Sequence, residues 1–235
     1  MPVARFANTV AGIGSLLYAV GGTDYFSCGA YATLESFDPG TDAWTALAPM
    51  PTARWSLGSG VVDGILYALG GTNGCYTPAT GMTTVEAYVP TINTWVPRAP
   101  MSAPRYSFGV GVVDGILYAV GGGVAGLPVN TIEAYDPASN TWTTKAAMQK
   151  ARSSPGNVGV VNGVLYAVGG DGALNTVEAY NPGTDTWTYV ADMPTTITNF
   201  SVSVVNGILY AVGGSQTGAS VSTTSAYNPL TNSWY

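Results

Sequence analysis

Residues 108–122 read Phe-Gly-Val-Gly-Val-Val-Asp-Gly-Ile-Leu-Tyr-Ala-Val-Gly-Gly, and the fold follows from how this stretch is punctuated. Two β-rich runs flank Asp114-Gly115, and Asx-Gly between such runs specifies a type I′ hairpin because both central residues need positive φ. Moving outward, the turn recurs at Asp63-Gly64, Asn162-Gly163 and Asn206-Gly207, with Gly14-Ser15 in its place in the first copy. The closing glycines recur at Gly21-Gly22, Gly70-Gly71, Gly121-Gly122, Gly169-Gly170 and Gly213-Gly214. An aromatic residue with Trp seven positions later recurs in the same phase, at Phe37/Trp44, Tyr88/Trp95, Tyr135/Trp142, Tyr180/Trp187 and Tyr227/Trp234. Six residues after Trp come Met50, Met101, Met148 and Met193, and Met1 holds the same phase. Self-similarity at one period marks tandem copies of a single supersecondary unit.

A third strand runs through Thr84–Tyr88 and its equivalents, and a fourth starts at each Trp after turns such as Asp136–Asn140. The repeats, approximately 1–49, 50–100, 101–147, 148–192 and 193–235, therefore read as four-stranded antiparallel meanders within a single domain spanning 1–235. A lone four-stranded sheet has two faces to bury, and radial stacking of sheets covers both with neighbours. The expected fold is all-β, a β-propeller of five four-stranded antiparallel blades. Both termini fall at the same repeat boundary, so the expectation is a monomeric ring closing at five blades, blade 1 packing on blade 5. Gly60–Ala68 recurs unchanged as Gly111–Ala119, a mark of recent duplication or deliberate repeat design.

With Met-x-x-x-Arg at the opening, Leu-Tyr-Ala-Val-Gly-Gly closing the hairpin, then Val-Glu-Ala-Tyr-Asx-Pro and Trp, the chain resembles the kelch repeat family over essentially all of its 235 residues. The resemblance implies a propeller with one blade per repeat around a central channel. On that geometry the repeated Trp and Tyr are interblade core, and the doubled glycines serve close strand approach rather than phosphate binding, since no helix follows them.

Composition narrows the chemistry. Only 9% of residues are charged, against roughly 25% in an average soluble domain, which favours an extracellular or cell-surface location over a cytoplasmic one. Seven Lys and Arg and a net charge of −6 exclude the basic patch that nucleic acid requires. No apolar run approaches the roughly 18 residues needed to span a bilayer, and Met1 opens directly into repeat sequence. The absence of histidine removes Ser-His-Asp and Cys-His nucleophilic machinery and the common imidazole metal sites. No catalytic residue, metal or other cofactor is expected.

The functional expectation is a non-catalytic binding scaffold for a protein, peptide or glycan. The alternatives are a carbohydrate-active enzyme using carboxylates and a purely structural or engineered repeat propeller. In an antiparallel blade the second-to-third-strand loops and the interblade connections emerge on one face, where binding should sit. The loops of repeats 1 and 2 are long and carry Tyr25, Phe26, Tyr31 and Tyr76, while the repeat openings add Trp55 and Tyr106 beside Arg54 and Arg105. Aromatic and Arg anchors are typical of binding hot spots. Arg5, Arg54, Arg105 and Arg152 stand at the openings of repeats 1 to 4, and Glu35, Glu86, Glu133 and Glu178 stand two before the motif aromatic in the same repeats; repeat 5 has Ile197 and Ser225. Joint loss of both charges fits structural Arg–Glu pairing. The family resemblance implies a second role, because kelch substrate adaptors of ubiquitin ligases grip acidic peptides with Arg at the innermost strand, and Met101–Arg105 is similar to such openings. No adaptor or dimerisation domain accompanies the repeats here, so ubiquitin-linked function is not expected.

Cys28 and Cys75 lie in the second-to-third-strand loops of adjacent blades, which makes them candidates for a disulfide. Non-reduced protein is expected to yield a cross-linked peptide pair by mass spectrometry; full alkylation of both thiols would remove the bridge and the main argument for an oxidising compartment.

Overall fold

A computed structural model of the chain describes residues 1–24, 29–74, 80–153, 157–170 and 174–235. Its regular elements are strands, apart from the short 3-10 turn Pro90–Ile92. Each repeat forms one four-stranded antiparallel sheet, and the architecture is a five-bladed β-propeller, as the repeat pattern predicts. Blade 1 comprises Thr9–Ile13, Leu16–Val20, Leu34–Asp38 and Ala43–Ala46; blade 2 comprises Gly58–Val62, Ile65–Leu69, Val85–Val89 and Thr94–Arg98. Blade 3 comprises Gly109–Val113, Ile116–Val120, Ile132–Asp136 and Thr141–Lys145. Blade 4 comprises Val158–Val161, Val164–Val168, Val177–Asn181 and Thr186–Val190, and blade 5 Ser201–Val205, Ile208–Val212, Thr224–Asn228 and Ser233–Trp234. No helix among the described residues is long and apolar enough to cross a membrane.

Turn chemistry sets the register. Asp63, Asp114, Asn162 and Asn206 take φ of 49 to 50°, and the glycines after them take 72 to 77°, the double positive φ that a type I′ turn demands. Val113 consequently faces Ile116, and the pairing runs on to Gly109 opposite Val120. At Gly14-Ser15 only the glycine is left-handed, at φ 59°, the φ pattern of the type II′ alternative.

The chain divides into two compact units. The first holds residues 1–107 with the short segments 124–127 and 136–142; the second holds 108–123, 128–135 and 143–235. In the first unit Tyr18, Val20 and Leu34 of blade 1 pack with Leu66, Tyr88 and Trp95 of blade 2. The Tyr18 and Tyr88 rings lie 6.2 Å apart, and Tyr88 and Trp95 5.3 Å. In the second unit Val113, Val120 and Ile132 of blade 3 meet Leu165 and Trp187 of blade 4. Blade 4 in turn packs Tyr166 and Val168 with Ile197, Phe200 and Leu209 of blade 5. Aromatic residues at a fixed phase are thus the shared core between successive sheets.

Each of these contacts is pinned by the same pair of hydrogen bonds. The Trp95 indole N–H donates to the Ala48 carbonyl at 2.8 Å, and the Ala48 N–H donates to the Asn93 side chain at 2.9 Å. Trp142 and Asn140 hold Ala99 in the same way, Trp187 and Asp185 hold Ala146, and Trp234 and Asn232 hold Ala191. One turn residue and one indole therefore clamp both backbone polar groups of a single residue leaving the preceding blade. The turn residue is left-handed in every copy, φ 49 to 55°, a conformation that Asn and Asp tolerate better than other side chains. The Tyr88, Tyr180 and Tyr227 hydroxyls donate to the same oxygen, at 2.8, 2.6 and 2.9 Å.

Asp185 is the one acidic member of these four clamps. The Tyr180 hydrogen bond, and after it the Ala146 N–H, hold its carboxyl below the usual aspartate value. A carboxyl lowered in the folded state contributes stability that is full above its unfolded value and is lost as pH falls through the folded one. Asp185→Asn, which copies the other clamps, is expected to leave stability at pH 7 within about 0.5 kcal/mol and to lose less stability than the parent below pH of about 4. Urea unfolding at both pH values checks this, and parallel pH profiles would contradict it.

Candidate functional site

The repeat openings and the segments after each Gly-Gly are built as one backbone network. Thr23 and Phe6 exchange N–H to carbonyl bonds of 3.0 Å, and Thr72 and Trp55 exchange bonds of 2.9 Å, so each opening pairs with the start of its own blade's second-to-third-strand loop. The next blade's opening joins the same loop from the other side. Gly22 N–H donates to Arg54 O, Arg54 N–H to Tyr31 O, and Tyr31 N–H back to Gly22 O, at 3.0, 3.2 and 2.8 Å. Gly71, Arg105 and Met82 repeat this cycle at 2.9, 3.1 and 2.8 Å, and Gly122, Arg152 and Val129 repeat it at 2.9, 3.1 and 2.9 Å. Successive openings are also tied directly, Ser56 N–H to Ala7 O at 2.8 Å and Ser107 N–H to Ser56 O at 2.9 Å.

This network explains the doubled glycines. At Gly121, φ +64°, an added Cβ would lie 2.5 Å from the Arg152 carbonyl, and at Gly71, φ +92°, 2.8 Å from the Trp55 carbonyl. The first glycine of the pair admits the next blade's opening and the second admits its own. A side chain at either would push out a strand.

The arginines lie beneath this network. Arg54 is fully buried and reaches Glu86 at 2.8 Å, the Thr84 carbonyl at 3.0 Å and the Ala68 carbonyl at 3.1 Å. Arg152 reaches Glu178 at 2.6 Å, with the Gly169, Thr176 and Ala167 carbonyls at 2.7, 3.0 and 3.2 Å. Arg5 forms an ion pair with Glu35 at 2.9 Å whose angle is not that of a hydrogen bond. Arg105 and Glu133 are buried to the same degree. The glutamates face the openings in return, since Glu86 accepts from the Thr52 hydroxyl at 2.8 Å and Glu178 from the Gln149 N–H at 2.7 Å. Burial pushes the Arg54 guanidinium down to about 10, with Glu86 acting in the opposite direction. In blade 5 Ile197 replaces the arginine and packs into the apolar core. The pairing expected from the joint loss of both charges is thus present within blades.

The other predicted site residues divide. Tyr31 is half-buried and donates to the Asp24 carboxylate at 3.0 Å, a bond that raises its own hydroxyl pKa. Tyr106 is half-buried in the opening of blade 3, whereas Trp55 is nearly enclosed. Tyr25, Phe26, Tyr76, Cys28 and Cys75 lie outside the described residues. Tyr31 and Arg54 meet through their backbones, as do Trp55 and Thr72. Sequence reasoning passed over the buried Thr23 and Thr72, whose signal was Thr directly after Gly-Gly in repeats 1 and 2. It also passed over Gly81, where a Cβ would lie 2.7 Å from the Arg105 backbone. Among the described residues no group of three or more His, Cys, Asp or Glu is placed to hold a metal.

Comparison with known proteins agrees with this geometry. The Kelch motif matches residues 4–51, 56–102, 104–149, 152–194 and 197–235. Kelch-like ECH-associated protein 1B of Danio rerio is 44% identical over 107 residues, 46% of this chain and 18% of that protein. Kelch-like protein 33 of Homo sapiens is 33% identical over 120 residues, 50% of this chain and 22% of that protein. The chain therefore matches about a fifth of these relatives' lengths. Among solved structures, that of YjhT superposes with a TM-score of 0.85 at 16% identity, over 98% of this chain and 83% of that one, a likeness of fold.

Removing one member of a buried ion pair costs about 3 to 5 kcal/mol, whereas replacing both with apolar groups is often near neutral. Glu86→Gln is expected to destabilise by about 3 kcal/mol, and Arg54→Met with Glu86→Leu to recover most of that loss. Equal destabilisation in urea titrations of the single and double variants would show that the pair is not what the arginine serves.

Proposed function

This chain belongs to the kelch repeat family, and on that basis we propose that it is a non-catalytic binding scaffold whose ligand is a protein or peptide segment. The ligand lies on the face where the repeat openings and the second-to-third-strand loops come together. The observation that carries this reading is the rigid backbone of that face. Openings and loops are cross-bonded from blade 1 to blade 3, and the guanidinium groups brace them from below. A surface fixed in advance loses little entropy on binding.

The division of labour follows from burial. Arg5, Arg54, Arg105 and Arg152 act on the site from beneath, holding the openings and biasing the local potential. Direct contact falls to half-buried aromatics such as Tyr31 and Tyr106 and to the loop residues Tyr25, Phe26 and Tyr76. A partly exposed tyrosine offers apolar area and a polar tip at low entropic cost. The Danio rerio relative is named as ECH-associated, and a protein ligand is the reading that such a relative supports. Catalysis is not proposed, because the chain has no histidine and its opening carboxylates are engaged with arginine and backbone N–H groups.

Affinity capture from the source organism, followed by titration of the captured ligand, tests the proposal. Tyr31→Ala and Tyr106→Ala are each expected to weaken binding at least roughly ten-fold, as hot-spot truncations do, with little change in melting temperature. Unchanged affinity in both variants, or loss of folding in place of a binding defect, would assign these residues to packing. Capture on a glycan array with no protein ligand would move the substrate class to carbohydrate.

A further inference from the structure

In each repeat the motif aromatic stands five positions before the turn residue of the clamp, and only in repeat 4 do the two form a phenol and a carboxylate. The pairs are Phe37 with Asp42, Tyr88 with Asn93, Tyr135 with Asn140, Tyr180 with Asp185 and Tyr227 with Asn232. In the fold the Tyr180 hydroxyl donates to Asp185 Oδ1 at 2.6 Å, against 2.8 and 2.9 Å from Tyr88 and Tyr227 to amide oxygens. A short bond is what a hydroxyl makes to an ionised acceptor. Burial first, and the Asp185 bond after it, raise the Tyr180 hydroxyl above its usual pKa, while the same bond lowers Asp185, so the resting pair is a neutral phenol and a carboxylate. The Tyr180 ring lies 5.0 Å from that of Trp187, within the range of direct aromatic contact. Tyr180 is 0% exposed and Trp187 9%, so the pair meets solvent through the indole.

A phenol that touches an indole and is bonded to a carboxylate can carry out a step that its counterparts cannot. One-electron oxidation of an indole leaves a radical cation. The Trp187 N–H faces the Ala146 carbonyl at 2.8 Å, an acceptor too weakly basic to take the proton, so the positive charge stays on the ring until a neighbour supplies an electron. A phenol supplies one readily only where its proton has somewhere to go, because an isolated charge in the interior is costly. We propose that Tyr180 is a one-electron redox site. A small radical oxidant takes an electron from Trp187, the Tyr180 ring returns one to the indole, and the phenolic proton moves to Asp185 Oδ1. The products are neutral Trp187, a neutral tyrosyl radical and a protonated Asp185, so the positive charge of the hole and the negative charge of the carboxylate cancel in one step. Tyr88 beside Trp95 and Tyr227 beside Trp234 have the same ring contacts, at 5.3 and 5.2 Å, but donate to amide oxygens that cannot hold the proton.

Azide radical made by pulse radiolysis is the oxidant of the test, with tyrosyl formation followed by its optical absorption and persistence by electron paramagnetic resonance. Two variants copy other repeats, Tyr180→Phe repeating Phe37 and Asp185→Asn repeating Asn93. The unsubstituted chain is expected to give a long-lived tyrosyl radical, since a fully buried ring is shielded from coupling with a second molecule. Tyr180→Phe is expected to abolish that long-lived component, and Asp185→Asn to slow its formation at least roughly 100-fold, the loss that removal of a positioned proton acceptor brings. No long-lived radical in the unsubstituted chain overturns the proposal, as does an undiminished one in Tyr180→Phe, which places it on another tyrosine. An unchanged rate in Asp185→Asn shows that the carboxylate does not take the proton and overturns it as well. Asn232→Asp decides the matter should either variant not fold. It is expected to add a second long-lived component that Tyr227→Phe removes, and no gain would mean that a carboxylate at the clamp does not confer the property.

Discussion

Two glycines per repeat govern how closely consecutive blades approach. At Gly21 and Gly121 the first stands where the next blade's arginine carbonyl arrives, and at Gly22 and Gly71 the second stands where its own opening arrives, so that a methyl group at any of these meets a backbone carbonyl. Because both glycines are left-handed, the second strand can end abruptly, with the first glycine's N–H donating to the residue before the third strand, as Gly21 does to Thr33, and the second's to the next opening, as Gly22 does to Arg54. The cyclic bonding among Gly22, Tyr31 and Arg54 and its repeats depends on that approach. So does the depth at which the arginine side chain starts, which lets it reach the carbonyls of strands two and three.

Charge is then placed where strand-end carbonyls can take a further donor, since the Thr84 and Thr176 carbonyls already accept from the Gly70 and Gly169 N–H groups. The ends of the second and third strands expose carbonyls toward the opening, at Ala68 and Thr84 in blade 2 and at Ala167 and Thr176 in blade 4, and the guanidinium satisfies them. The glutamate neutralises the cation and accepts from the opening's own donors, which closes the circuit. A cation buried without that carboxylate would be expensive. Blade 5 dispenses with both charges at once, and Ile197 joins the apolar core instead.

Much of this was legible in the sequence because it is written in residues with a single use. Asx-Gly between β-rich runs has one economical turn geometry, and Gly-Gly in phase five times has one plausible structural cause. The Arg–Glu pairing was legible from repeat 5, where both are absent together. What sequence could not give was direction. An arginine beside Trp55 or Tyr106 reads as a binding anchor until its side chain is seen to run inward under the opening. The clamp was hidden for another reason. Its acceptor is Asn in three repeats and Asp in two, in a turn where either is ordinary, and its target is the backbone of an unremarkable alanine.

Clamp and glycine approach act at opposite ends of the blade, and this separation bears on how such a repeat can vary. One end is held by an indole and a turn side chain on one residue, the other by backbone hydrogen bonds and a buried guanidinium. Among the described residues, these devices engage the second-to-third-strand loop only at its first and last few residues. That loop runs from Thr23 to Leu34 in repeat 1 but only from Asp171 to Val177 in repeat 4, while Gly169 in repeat 4 keeps the same bond to the strand beyond, donating to Thr176 as Gly21 donates to Thr33. Loop length can therefore change without disturbing either anchor. A repeat built this way can alter what it presents on one face while keeping the geometry of every contact between neighbouring blades.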